Sequence, residues 1–87
     1  MTLMSSMLYI ERTVTTNLRN RLRKYRKAAG GLTQQELADR TGVTRQSIIS
    51  IERGRFRPSV ELALKLARAL GVSVEELFEL VDEETSR

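Results

Sequence analysis

The sequence contains no cysteine and no histidine. Their absence excludes a disulfide framework, the usual zinc and haem ligand sets, and nucleophilic catalysis by Cys or His. No apolar run approaches the roughly 18–20 residues that cross a bilayer, so no membrane partner is expected. The opening stretch MTLMSSMLYIERTV has no basic leader and no continuous apolar segment, and does not read as a signal peptide. The expected location is the cytoplasm. Ser, Lys and carboxylates are present, but no pair of them falls in a plausible pocket arrangement, and 87 residues leave little room for a cleft. Neither an enzyme nor a metal or cofactor is expected.

What the sequence does have is charge, unevenly spread. Residues 12–57 hold twelve Lys/Arg against three Asp/Glu (Glu36, Asp39 and Glu52), a net of +9. Residues 58–87 hold three against seven, a net of −4. Glu11 accounts for the remainder of the overall +4. Segregation of this kind points to a polyanion-binding face on the first half, with an Arg-rich solvated surface as the alternative. The length predicts one domain. A domain of this size buries only roughly 60–65% of its unfolded surface, so oligomerisation is a natural supplement to its stability.

Periodicity predicts five short helices and no strand in the body, an all-α fold. Residues 1–16 read as an N-terminal extension with only weak strand character in YIERTV, either flexible or a dimerisation arm. Helix one is expected over 17–29, with Val14, Leu18, Leu22, Tyr25 and Ala29 as one stripe. Arg19, Arg23, Lys24 and Lys27 lie off that stripe, and Gly30-Gly31 stop the helix. Helix two follows over 34–41, opened by Thr33 and Glu36 in the capping-box spacing. Gly42 ends it, and Thr44 caps helix three over 45–53. Helix four starts after Ser59 and closes at Gly71. A second capping box, Ser73 to Glu76, opens helix five, with Leu77, Phe78, Leu80 and Val81 as its apolar positions. The domain is expected to span 17–82, followed by an acidic tail over 83–87.

Helix three carries the functional signal. With about 100° per residue and Arg45 at zero, Ile48 and Ile51 fall at about 300° and 240° and share the core side. Gln46, Ile49, Ser50 and Arg53 surround the opposite direction, and Arg45 projects at one edge. A solvated helix more usually shows Glu and Lys there. Arg and Gln can contact guanine and adenine edges bidentately in the major groove, and an isoleucine can meet a thymine methyl. Helix two, a short turn with Gly42, and helix three thus compose a helix-turn-helix over 34–53, with an ordinary helical hairpin as the alternative.

The stretch LTQQELADRTGVTRQSIISIERGRFRPSVELALKLARALGVSVEELF resembles the phage repressor/Cro-type helix-turn-helix, or XRE family, over about 18–81. The matching positions are Leu32-Thr33-Gln34, Glu36-Leu37-Ala38, Gly42-Val43, Ile48, Ile51-Glu52-Arg53-Gly54, Pro58 and Leu70-Gly71-Val72. The resemblance implies a compact five-helix, lambda-repressor-like DNA-binding domain with helix three as the recognition helix. It implies that Arg45, Gln46 and Ser50 read bases, with Ile49 beside them. Gln34 and Ser47 are then expected on DNA phosphates, and Arg53, Arg55 and Arg57 where the following loop meets the backbone. Glu52 matches a glutamate that pairs with a helix-one arginine. Arg26 is the expected partner, and the second glycine before Leu32 leaves Lys27 as the other candidate.

One such motif reads few base pairs, so a homodimer on paired half-sites is expected. The apolar surplus Val72, Val74, Phe78 and Val81 is a candidate dimer surface. The leading expectation is a sequence-specific double-stranded DNA-binding transcriptional regulator, most often a repressor. The alternative is an antitoxin or restriction-controller type that also binds a protein partner through its acidic half.

Overall fold

The computed structural model describes residues 14–84. Residues 1–13 of the expected extension and 85–87 of the acidic tail lie outside the described residues. Within them the order is β1 (Val14–Asn20), α1 (Leu22–Ala28), α2 (Gln34–Thr41), α3 (Arg45–Glu52), α4 (Val60–Leu70), α5 (Val74–Leu77) and β2 (Phe78–Glu84). Five helices are present as expected. The all-α reading is corrected by a small antiparallel sheet, in which β1 pairs with β2 from Val14↔Glu84 to Asn20↔Phe78.

The correction has a physical cause at each end. Helix one does not run from 17 to 29. Val14, Thr15 and Thr16 are β-branched, and asparagines at 17 and 20 favour turns and caps over helix interiors. Asn20 then starts the helix from outside it. Its side-chain oxygen accepts the Leu22 N–H at 3.2 Å, and its amide donates to the Ile51 carbonyl at 2.9 Å. Helix five is a single turn, because Phe78 turns extended with φ −127° and ψ 139°. Leu77, Phe78, Leu80 and Val81 are too few to separate a helical stripe from a strand. Leu77 is fully buried, Phe78 packs on the core edge, and Leu80 is 66% exposed.

The middle of the chain follows its local signals. Thr33 and Glu36 form a reciprocal capping box on α2, and Ser73 and Glu76 form another on α5. Thr44 and Ser59 accept the N–H groups of Ser47 and Leu62 and cap α3 and α4. Between α2 and α3 the chain reverses at Gly42, whose φ of +76° is left-handed. The Gly42 and Val43 N–H groups both bond back to the Ala38 carbonyl, at 2.9 and 3.1 Å. The core joins Leu22, Leu32, Leu37, Ala38, Ile48 and Ile51 to Leu66, Ala67 and Leu77. Burial of each Leu or Ile there is worth roughly 1.5–3 kcal/mol. Val72, Val74 and Phe78, read as a surplus, pack against this same core.

Candidate nucleic-acid interface

Two fully buried side chains, Ile48 and Ile51, press α3 into the core and set which side it shows. The opposite side carries Arg45 and Gln46, both exposed, with Ser47, Ile49 and Ser50 half-exposed. Ile49 is not part of the core cluster that contains the other two isoleucines. The helix therefore stands as a ridge.

A groove runs along each flank of the ridge. The larger, of about 860 Å³, separates α3 from α1 and the start of α2. Arg45, Ile49 and Arg53 line its α3 wall, Gln34 its α2 end, and Arg23 and Lys27 its α1 wall. The smaller, of about 390 Å³, is lined by Thr44, Gln46, Ser47, Ser50, Arg55 and Phe56. Of the nine residues expected to touch DNA, eight thus border one groove or the other. Arg57 stands apart, in a hollow of about 100 Å³ with Leu18, Phe56 and Phe78.

Beneath the larger groove lies a polar lock. The Arg26 guanidinium donates from Nε to one Glu52 oxygen at 2.7 Å and from Nη2 to the other at 3.2 Å. Its Nη1 donates to the Leu32 carbonyl at 2.8 Å. The Gln34 amide donates to Glu52 at 3.0 Å. The two charged side chains are only 9% and 6% exposed. One carboxylate therefore ties the end of α3 to α1 and to the first residue of α2, and holds Gln34 in place. Lys27, the other candidate partner, is exposed. Gly30 and Gly31, both at φ +73°, absorb the additional loop residue in conformations that only glycine adopts readily. Ser47 is also held, its hydroxyl 3.1 Å from that of Thr44.

Electrostatically the ridge and its flanks are positive. Arg23, Lys27, Arg45, Arg53, Arg55 and Arg57 are exposed and have no ion-pair partner among the described residues. Among the described residues, the only cation lining the larger groove that is balanced by a carboxylate is the buried Arg26. Glu36 lies at the opening of α2. Bonds from Thr33, first from its backbone N–H and then from its side chain, hold the Glu36 carboxyl below its ordinary value. Arg23 and Lys27 were not among the expected contact residues. Their four-residue spacing off the apolar stripe was the visible sign that they share a helix face.

The helix-turn-helix family model matches residues 22–77. An uncharacterised HTH-type transcriptional regulator of Methanocaldococcus jannaschii is 46% identical over 67 residues, covering 77% of this chain and all of the relative. Another from Methanothermobacter thermautotrophicus is 49% identical over 71 residues, covering 80% of this chain and all of the relative. The restriction-modification controller protein C.AhdI of Aeromonas hydrophila superposes with a TM-score of 0.62 at 43% identity, covering 67% of this chain and 86% of that one. The clp gene regulator ClgR of Corynebacterium glutamicum gives a TM-score of 0.60 at 38% identity, covering 63% of this chain and 57% of that one.

Proposed function

This chain belongs to the helix-turn-helix family of DNA-binding transcriptional regulators, which are not enzymes, and on that premise we propose that it is a sequence-specific repressor acting as a homodimer. The observation that carries the reading is the ridge: α3 presents Arg45, Gln46, Ile49 and Ser50 between two grooves. An α-helix fits the B-DNA major groove, about 12 Å wide, and the two strands that border that groove then run along the flanks. Arg45, Gln46 and Ser50 read base edges, and Ile49 meets a thymine methyl. Gln34, Ser47, Arg53, Arg55 and Arg57 hold phosphates and set register.

A repressor of this kind works by occupying a promoter site, in the cytoplasm where the DNA lies. No helix among the described residues is long and apolar enough to cross a membrane. Two copies on a two-fold site place their α3 helices about 34 Å apart, one turn of DNA. Selection from random duplexes should yield an inverted repeat with that spacing. Recovery of no preferred site at physiological salt overturns the reading, and an asymmetric single site overturns the dimer alone. A second reading is a restriction-controller type of regulator, which the likeness to C.AhdI supports, with the exposed carboxylates of the C-terminal half as its candidate protein-binding surface. In it the chain also engages a protein partner through its acidic C-terminal half. A co-purifying protein retained by the wild type and released on neutralising Glu75 and Asp82, both exposed and without an ion pair among the described residues, supports it.

A further inference from the structure

The larger groove has a wall that the helix-turn-helix itself does not supply. Its α1 side is formed by Arg23 and Lys27, four residues apart and both exposed. Across the groove from them are Arg45 at the start of α3 and Arg53 just past its end. None of the four is compensated by a carboxylate among the described residues. The carboxylate beneath them, Glu52, is already consumed by Arg26 and Gln34. Two rows of like charge facing each other across an open groove repel, and an anion lying between them relieves that repulsion. The spread of the cations selects the anion. Arg45 and Arg53 border the groove about 12 Å apart, from eight residues at 1.5 Å rise, so it suits a chain of phosphates better than a single ion.

We infer that Arg23 and Lys27 hold the phosphodiester backbone on its outer side, opposite the cations of α3, and so clamp one DNA strand between α1 and α3. This rests on the proposal that α3 enters the major groove. The two side chains emerge about 6 Å apart along α1, from four residues at 1.5 Å rise, and meet neighbouring phosphates. They touch no base, so they contribute affinity and register without sequence preference. Lys24, on the same helix, serves as the internal comparison. It does not line the groove, and its ammonium lies 5.6 Å from the Tyr25 ring centre.

The test is a fluorescence-anisotropy titration of the full chain on its selected duplex between 50 and 200 mM salt. Arg23→Gln and Lys27→Gln should each make the log–log salt slope shallower by about 0.9, and the double variant by about 1.8. By the same relation, affinity at about 0.15 M salt falls about 5-fold for each and about 30-fold for both. The order of preference among base-substituted duplexes should not change, and Arg23→Lys should restore the slope. Lys24→Gln should leave the slope within error of wild type. An unaltered slope in the double variant, with wild-type binding intact, overturns this assignment alone. Equal losses from Lys24→Gln also overturn it, because the effect is then diffuse net charge. A wild-type chain without duplex affinity overturns both this assignment and the DNA-binding reading beneath it.

Discussion

Replacing Glu52 by Gln tests the lock beneath the larger groove. The substitution keeps the shape of the side chain and removes its charge. One carboxylate oxygen becomes an NH2 group, which then faces N–H donors: Arg26 Nε at 2.7 Å if it replaces Oε2, or Arg26 Nη2 at 3.2 Å and the Gln34 amide at 3.0 Å if it replaces Oε1. Arg26, itself buried, keeps the Leu32 carbonyl and one uncharged amide oxygen as acceptors but loses its counter-charge. Removing one member of a buried ion pair costs about 3–5 kcal/mol, because the other charge is left uncompensated. Small domains have about 5–15 kcal/mol in total, so the loss is a large share. At about 4–8 °C per kcal/mol, the midpoint should fall by at least about 12 °C. A thermal melt followed by circular dichroism measures the midpoint, and urea unfolding the free energy, with the m-value expected to stay constant. The double variant Arg26→Met/Glu52→Leu fills the same space without charge, and should fold within about 1 kcal/mol of wild type. Two results refute the reasoning. Either Glu52→Gln lies within about 1 kcal/mol of wild type, or the double variant falls as far as the single one.

Other substitutions test the proposed division between base reading and backbone holding. Arg45→Ala and Gln46→Ala should each relax base preference at one position, at a cost of about 1–3 kcal/mol in a binding selection. Arg55→Ala should weaken all duplexes alike and make the salt slope shallower by about 0.9. Glu36, whose carboxyl is held below its ordinary value of 4.5, adds stability above that value and loses it as pH falls through the lower folded value. Thermal melts of Glu36→Gln should therefore depend less steeply on pH below about 4.5 than those of wild type, and parallel curves would sink that account. Gly42→Ala should cost about 1 kcal/mol in a thermal melt. A Cβ at Gly42 meets nothing within 4 Å, so the cost comes from the left-handed backbone alone.

The elements legible in the sequence were those whose cause is local. Thr33 with Glu36, Thr44, Ser59, and Ser73 with Glu76 mark the starts of four helices, because a capping side chain acts within three residues. The wheel separated Ile49 from Ile48 and Ile51, because α3 is regular and only one side of it can be buried. The strands were not legible, because each is specified by the other. Asn20 and Phe78 are neighbours only once the chain between them has folded. The choice between Arg26 and Lys27 stayed open for a related reason. It depended on how Gly30 and Gly31 take up one additional residue, which spacing alone does not reveal. The α1 wall of the groove was half legible. The cations were visible, but what they face was set by tertiary packing.

The pairing of Val14 with Glu84 brings the two ends of the described chain side by side. That arrangement determines how the molecule responds to mechanical load. Tension applied through both ends meets the ribbon at its open end, where the bonds between strands lie across the strand direction. They then separate rung by rung, from Val14↔Glu84 inward, and never have to yield together in shear. The last rung is different. At Asn20↔Phe78 the ribbon is anchored by the Asn20 bond to the Ile51 carbonyl and by Phe78 on the core. A single-molecule pulling trace should therefore show a soft, gradual extension of the ribbon before the abrupt release of the helical body. The α3 ridge is shielded from tension until that anchor gives way.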